Sequence, residues 1–342
     1  MMSYFKAIHE KLVKILIFEY ITGGGFNKQP LPEPLITEGS LMLRALLDNI
    51  AKLDDIDVTV MLDVRLSDLV TETLVNTVLI GPELDSTEEF ARLVAQSDLV
   101  WPIAPEFDCI LQNLCLTVST LGKSLLNSSA KAVAIAGNKF KTYELLNQHN
   151  IATVPTRMLY PLDKNISSSS GEWIIKPIDG VGCADSYVIT NPQDLERIDI
   201  GEHTYIMQPH LHGDKTSLSC LFKQGQGWLI CANLQRFELI NWQYRLTGIE
   251  INHHADSGLY RHLIDKIALA LPELWGYVGI DLIETTEQTL VLEINPRLTT
   301  SFVGLYDALG INIAEAVLQL LRGEPLFKPT CNKVISVKTH AR

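Results

Sequence analysis

Leu290-Val-Leu-Glu293-Ile-Asn295-Pro-Arg297, read with Asp281 a few residues earlier, carries most of what this chain reveals about its fold. Ile280, Leu282, Leu290, Leu292 and Ile294 share one parity, so both segments read as half-buried strands. Thr285-Thr-Glu-Gln-Thr289 between them is polar enough for a hairpin loop. A turn centred near Glu287 places Asp281 across from Glu293. Strand side chains alternate in direction, so Glu293 and Asn295 point to the same face as Asp281. Three hard oxygen donors then converge, with Arg297 just beyond them. Such a set suits Mg²⁺ shared with nucleotide phosphates. The competing interpretation is the solvated face of an ordinary hairpin.

Composition narrows the choice. A chain of 342 residues with 46% hydrophobic content can hold two or three domain-sized units with substantial cores. Its net charge of −12 argues against nucleic-acid binding, which leaves a basic footprint. Six scattered cysteines lack zinc-ligand spacing and read as free thiols of a reducing cytoplasm. The first dozen residues lack the apolar core of a signal peptide, and no apolar run reaches membrane-spanning length. A cytoplasmic protein with no membrane partner is expected.

Upstream, Val13–Tyr20 reads as a buried strand, and Glu38–Leu53 has helical periodicity. Val58–Leu62, Asn76–Ile80, Thr87–Gln96 and Asp98–Trp101 continue an alternation that favours a parallel α/β sheet. This first domain spans 13–128, after an extension at 1–12. Thr22-Gly23-Gly24-Gly25 follows the first strand, but Pro30, Pro32 and Pro34 come next. A long loop is expected there, which disfavours a nicotinamide-binding dinucleotide fold. Further on, a helix opens at Asn138-Lys139, and the strand Glu172-Trp-Ile-Ile-Lys176-Pro177 runs into Asp179-Gly180-Val181-Gly182. A strand-end lysine beside a glycine loop can clamp phosphate oxygens with charge and main-chain N–H groups. Alone, that loop would be a reverse turn with a surface lysine. Together, Lys139, Lys176, the loop and the carboxylate set describe a MgATP site.

In the order of these motifs the chain resembles the ATP-grasp superfamily of carboxylate–amine ligases, over roughly Ser128–Glu324. The resemblance implies an α/β fold: an N-terminal parallel-sheet pre-ATP-grasp domain, a small central lobe at 129–208 and an antiparallel C-terminal lobe at 209–330, then a tail at 331–342. It implies that Lys139 and Lys176 contact ATP phosphates under a loop containing Gly180 and Gly182. Gln208 and Leu211 would belong to the hinge that meets adenine, although many relatives are acidic where Gln208-Pro209 stands. Asp214 would hold the ribose. Asp281, Glu293 and Asn295 would bind one or two Mg²⁺, with Mn²⁺ able to substitute, and Arg297 would stabilise the transferring group, with Lys176 as its catalytic companion. The implied activity is ATP-dependent amide formation through an acyl phosphate, acting on small-molecule carboxylate and amine substrates, with a homodimer as a conceivable assembly. Glu19-Tyr20-Ile-Thr22-Gly23-Gly24-Gly25 resembles the start of the tyramine–glutamate ligase group, which serves methanofuran synthesis. That would make glutamate the carboxylate and tyramine or tyrosine the amine. The rivals are a nucleotide-binding regulatory module without turnover and an ATP-grasp ligase for another amino acid or peptide substrate.

Smaller features receive plainer interpretations. Adjacent His253 and His254 on a strand face opposite ways and cannot share a metal. Trp101–Glu106 resembles a loop at a strand end that either lines the substrate cleft or packs. Arg236, Arg245 and Arg261 are surface arginines by default, with Arg245 the best placed to meet a substrate carboxylate.

Overall fold

In strand β1 (Val13–Glu19) the residues from Ile15 onward are buried whichever face they point to. Ile15 and Ile17 pack with one core, and Leu16 and Phe18 with another. A strand buried on both sides needs helices above and below, as a parallel α/β layer supplies. The computed structural model describes residues 12–71, 75–160, 171–182, 185–191, 193–194, 198, 204–254 and 258–339. The expected features at Cys183 and most of the 1–12 extension fall outside them.

The N-terminal layer adds α1 (Glu33–Ile50), β2 (Ile56–Asp63), β3 (Val75–Ile80), α2 (Ser86–Gln96), β4 (Leu99–Ile103), α3 (Ile110–Thr120) and β5 (Ser124–Leu125). Its strands run in parallel in the order β3-β2-β1-β4-β5. Two local expectations need correction. The long loop after Gly25 is shorter than expected, because α1 starts at Glu33 with a proline in its first turn. Proline is tolerated there, since its missing N–H has no intrahelical partner to lose. Helix α3 was not expected. It is entered through Asp108 and Cys109, both in the left-handed region, with no side-chain cap to announce it.

After α4 (Ala130–Ala136) and α5 (Lys139–Gln148) come the short strands β6 (Arg157–Leu159), β7 (Trp173–Pro177), β8 (Tyr187–Ile189) and β9 (Tyr205–Pro209). They enclose a small core of Leu159, Ile175, Ile189, Tyr205 and Met207. The remaining elements are β10 (Asp214–Lys223), β11 (Gln226–Ile240), β12 (Gln243–His254), α6 (Gly258–Ala270), β13 (Gly276–Glu284), β14 (Thr289–Asn295), α7 (Leu305–Leu309), α8 (Ile313–Leu320) and β15 (Ile335–Lys338). Strands β6–β14 form one antiparallel sheet, ordered β14-β13-β10-β11-β12-β8-β7-β9-β6, with β15 on β12. The two halves of that sheet meet thinly, through the pair Gln243–Tyr187.

The N-terminal layer is welded to the far end of the chain. Ile15 and Leu46 share a continuous core with Phe302 and Leu320. Asn49 of α1 receives Asn312 Nδ2 on its carbonyl at 2.8 Å and the Ile313 N–H on its side chain at 3.2 Å, satisfying the start of α8. This docking brings α1 against the turn at Thr300–Gly304. No single helix among the described residues is long and apolar enough to cross a membrane. The bent apolar pair Thr300–Leu309 and Ile313–Leu320 contributes to the shared core.

Candidate active site

The hairpin of β13 and β14 pairs Asp281 with Glu293 as expected, and Gly279 with Asn295, but a register shift after Asp281 breaks the expected parity, so Val291 enters the core and Leu292 lines the pocket. Asp281, Glu293, Asn295 and Arg297 line one pocket together with Lys139, Lys176, Gly180 and Gly182. They arrive from α5, β7 and the loop after it, β13, and β14 with its exit. Lys139 is the first residue of α5, whose cap Asn138 accepts from the Lys141 N–H at 2.9 Å. Its ammonium is buried, 3.3 Å from Glu293 Oε2, and donates to the Gly180 carbonyl at 2.6 Å. Lys176 sits buried near the end of β7. Gly182 takes a φ of +62°, where a side chain would strain the backbone.

Electrostatics separate the two facing carboxyls. Burial opposes ionisation of Glu293, but Lys139 and Lys176 override it and hold the group well below its ordinary range. Asp281 is pushed up, first by burial and then by the negative charge of Glu293. Both Asp281 oxygens receive amide donors, Asn295 Nδ2 and Gln235 Nε2, each at 3.1 Å. With its nitrogen so engaged, Asn295 presents Oδ1 as an acceptor. Two carboxylates and an amide oxygen are the donors a hard divalent cation takes, so Mg²⁺ fits this set.

Arg297 faces the pocket with its guanidinium already held. Nε and Nη2 form a bidentate pair with Glu106 at 2.8 and 2.9 Å. Burial would lower its pKa, but the charge and hydrogen bonds of Glu106 raise it, so the group stays cationic. Glu106 ends the segment for which sequence left cleft lining and packing both open. Two further acids approach from the N-terminal layer. Glu38 accepts from Thr300 Oγ1 at 2.8 Å. Glu19 is buried, accepts from the N–H and Oγ1 of Thr22 at 2.7 Å each, and is pushed up by burial to about 7. Gly39 makes room for it, since a Cβ there would lie 2.6 Å from Glu19 Oε2.

The remaining expected residues stand apart from this pocket. Gln208 is buried and donates to Thr156 Oγ1 at 2.8 Å. Leu211 packs beside Val154, Ile283 and Leu290, and exposed Asp214 opens β10 opposite Glu284. His253 pairs with Glu250 at 2.6 Å, as does Arg236 at 2.7 Å, in keeping with their plainer interpretations. Gln235, Glu38 and the Glu19 crevice were missed as site residues. Gln235 is an ordinary polar position on a long strand. Glu38 lies in a helix whose docking partner is more than two hundred residues away. A carboxylate at the end of a strand before three glycines was the one available signal for Glu19.

Comparison with known families agrees with this geometry. Residues 136–301 match the ATP-grasp domain, and residues 56–133 match the pre ATP-grasp 3 domain. The chain belongs to the ATP-grasp superfamily. Its curated relatives at 24–25% identity are ligases. Its relatives include the tyramine–L-glutamate ligase of Methanocaldococcus jannaschii, 24% identical over 293 residues, with 85% of this chain and 84% of that protein aligned. Among solved structures, an ATP-grasp superfamily protein from Archaeoglobus fulgidus superposes with a TM-score of 0.71 at 22% identity, covering 95% of this chain and 92% of that one. The biotin carboxylase domain of Hydrogenobacter thermophilus 2-oxoglutarate carboxylase, solved with MgADP and bicarbonate, gives a TM-score of 0.72 at 14% identity, over 95% and 73% of the respective chains. ATP-grasp enzymes use ATP and a divalent metal.

Proposed function

We propose that this enzyme activates a small carboxylic acid as an acyl phosphate and joins it to an amine, with glutamate and tyramine or tyrosine as the first substrates to test. The observation that carries the proposal is the convergence of two buried lysines, a glycine loop, a hard-oxygen donor set and a held arginine on one pocket. A free carboxylate resists attack by an amine, because its charge repels the nucleophile and oxide is a poor leaving group. Phosphorylation removes both obstacles.

In this proposal Lys139 and Lys176 bind the phosphates, and Asp281, Glu293 and Asn295 hold one or two Mg²⁺, or Mn²⁺ in their place. The metal supplies neutralisation of charge between phosphate oxygens. The substrate carboxylate attacks the terminal phosphorus, and Arg297 stabilises the negative charge gathering there. The Gly180–Gly182 loop excludes water from the acyl phosphate. Gln208, Leu211 and Asp214 are proposed for the adenine and ribose end. The domain limits expected from sequence at 128, 208 and 330 stand as part of this proposal. We also propose a cytoplasmic location, in keeping with the unpaired cysteines among the described residues, and a homodimer that light scattering would test.

A phosphate-release screen of carboxylate and amine pairs tests the function. Release that requires MgATP, glutamate and tyramine or tyrosine together is the expected result. Binding of ATP without amine-dependent ADP release, across the whole screen, would instead support a regulatory module.

A further inference from the structure

Beyond the Gly180–Gly182 loop lies a second cavity of about 710 Å³, larger than the 140 Å³ pocket at the metal-binding residues. Its volume is that of a small-molecule site, roughly 300–1,000 Å³. Leu35, Phe107 and Tyr244 supply apolar and aromatic walls. The charged lining is one-sided: Glu38, Asp108, Asp179 and Asp185 face a single base, Arg245. A carboxylate entering here would meet four acids, whereas an organic cation would be attracted.

Glu38 marks the inner end. Among the described residues it is the one charged side chain that lines this cavity, the metal pocket and the crevice of Glu19 alike. Its Oε2 is fixed by Thr300 at 2.8 Å, while Oε1 has no hydrogen-bond partner among the described residues. A carboxylate held by one oxygen and open at the other, between a cation-selective cavity and the phosphate pocket, is placed to hand an amine across.

We propose that this cavity is the acceptor-amine site, taking a primary ammonium on an apolar body of aromatic size, and that Glu38 is a catalytic residue that anchors the ammonium and removes its proton. The proposal rests on the ligase function above. An ammonium has no lone pair to donate. Transfer of one proton from nitrogen to Glu38 frees that pair, which attacks the acyl carbon. The C–N bond forms, the C–O bond to phosphate breaks, and phosphate leaves with the bonding electrons. The second nitrogen proton passes to the departing phosphate.

The test separates the two half-reactions in the full-length enzyme. Hydroxylamine, an uncharged nucleophile at neutral pH, traps the acyl phosphate as a hydroxamate without needing an ammonium site. Amide formation from glutamate and tyramine is measured in parallel. In Glu38→Gln the ratio of amide to hydroxamate should fall at least about 30-fold, with a raised KM for tyramine. Leu35→Arg, which adds bulk and, one helical turn from Glu38, a cation to the cavity, should lower the same ratio. If both products fall together in Glu38→Gln, or neither falls, the assignment of Glu38 is overturned. Failure of the wild type to make hydroxamate from any carboxylate would count against the ligase function itself. Calorimetric titration of tyramine into the resting protein then still decides the site, because absent binding, or binding unaltered in Leu35→Arg, overturns it.

Discussion

The two walls of the cleft treat charge differently. On the wall built from α5, β7, β13 and β14, where we propose the phosphates bind, acid and base are interleaved: Glu293 lies 3.3 Å from Lys139 and also feels Lys176. On the opposite wall, Glu19, Glu38 and Glu106 approach from the N-terminal layer, and Arg297 is the base they share. Only Glu106 makes a bidentate pair with it. The first wall is arranged to neutralise a polyanion. The second keeps the Glu38 carboxylate beyond the Glu106–Arg297 pair, while burial holds Glu19 protonated, and so neutral, up to about pH 7. A ligase needs this asymmetry, because the triphosphate and the amine carry opposite charges.

The comparison can be broken at its strongest point first. Glu293→Gln should remove metal-dependent turnover, lowering kcat on the order of 10³-fold in a protein that still folds. Near-normal kcat would remove Glu293 from the metal set. On the other wall, Glu106→Gln should show mainly in stability. Stripping the partner from a buried guanidinium costs about 3 kcal/mol, read by denaturant unfolding. A loss below about 1 kcal/mol would mean that Arg297 is solvated rather than held.

Lys176→Ala should act on nucleotide use, lowering kcat/KM for ATP about 10²-fold. An unchanged ATP dependence would take Lys176 out of the phosphate clamp. The smallest effect belongs to Glu19. Its folded pKa of about 7 lies above the ordinary 4.5, so the unfolded chain releases this proton first as pH rises. Its contribution is therefore most favourable below about pH 4.5 and is lost as pH climbs through about 7. Glu19→Gln should abolish that loss and gain about 1–2 kcal/mol at pH 8 relative to the wild type, less than the full linkage because its attraction to Arg297 also goes. Parallel pH–stability curves for the two proteins would show that Glu19 does not titrate in this window.

Much of the first wall was legible because its logic is local. Strand parity and a short hairpin suffice to place Asp281 opposite Glu293 and to turn Asn295 the same way. The wall's lysines announce themselves at element ends, Lys139 opening a helix and Lys176 closing a strand. The helix at Glu33–Ile50 was legible in its apolar face but not in its start, because prolines that look like a loop are also acceptable in a first helical turn. Helix α3 was hidden by an entry through two left-handed residues without a cap.

Sequence by itself thus determined the α/β character, the hairpin that sets Asp281 against Glu293, and the places of Lys139 and Lys176 at element ends, since these follow from side-chain periodicity over a few residues. The tertiary structure alone decided that Glu106 closes on Arg297, that Glu38 meets Thr300, and that Glu19 is buried behind Gly39. Those contacts join residues nearly two hundred or more positions apart, or depend on how closely a helix can approach a strand. Their geometry comes from the packing of the N-terminal layer against the last helices, which no local pattern encodes.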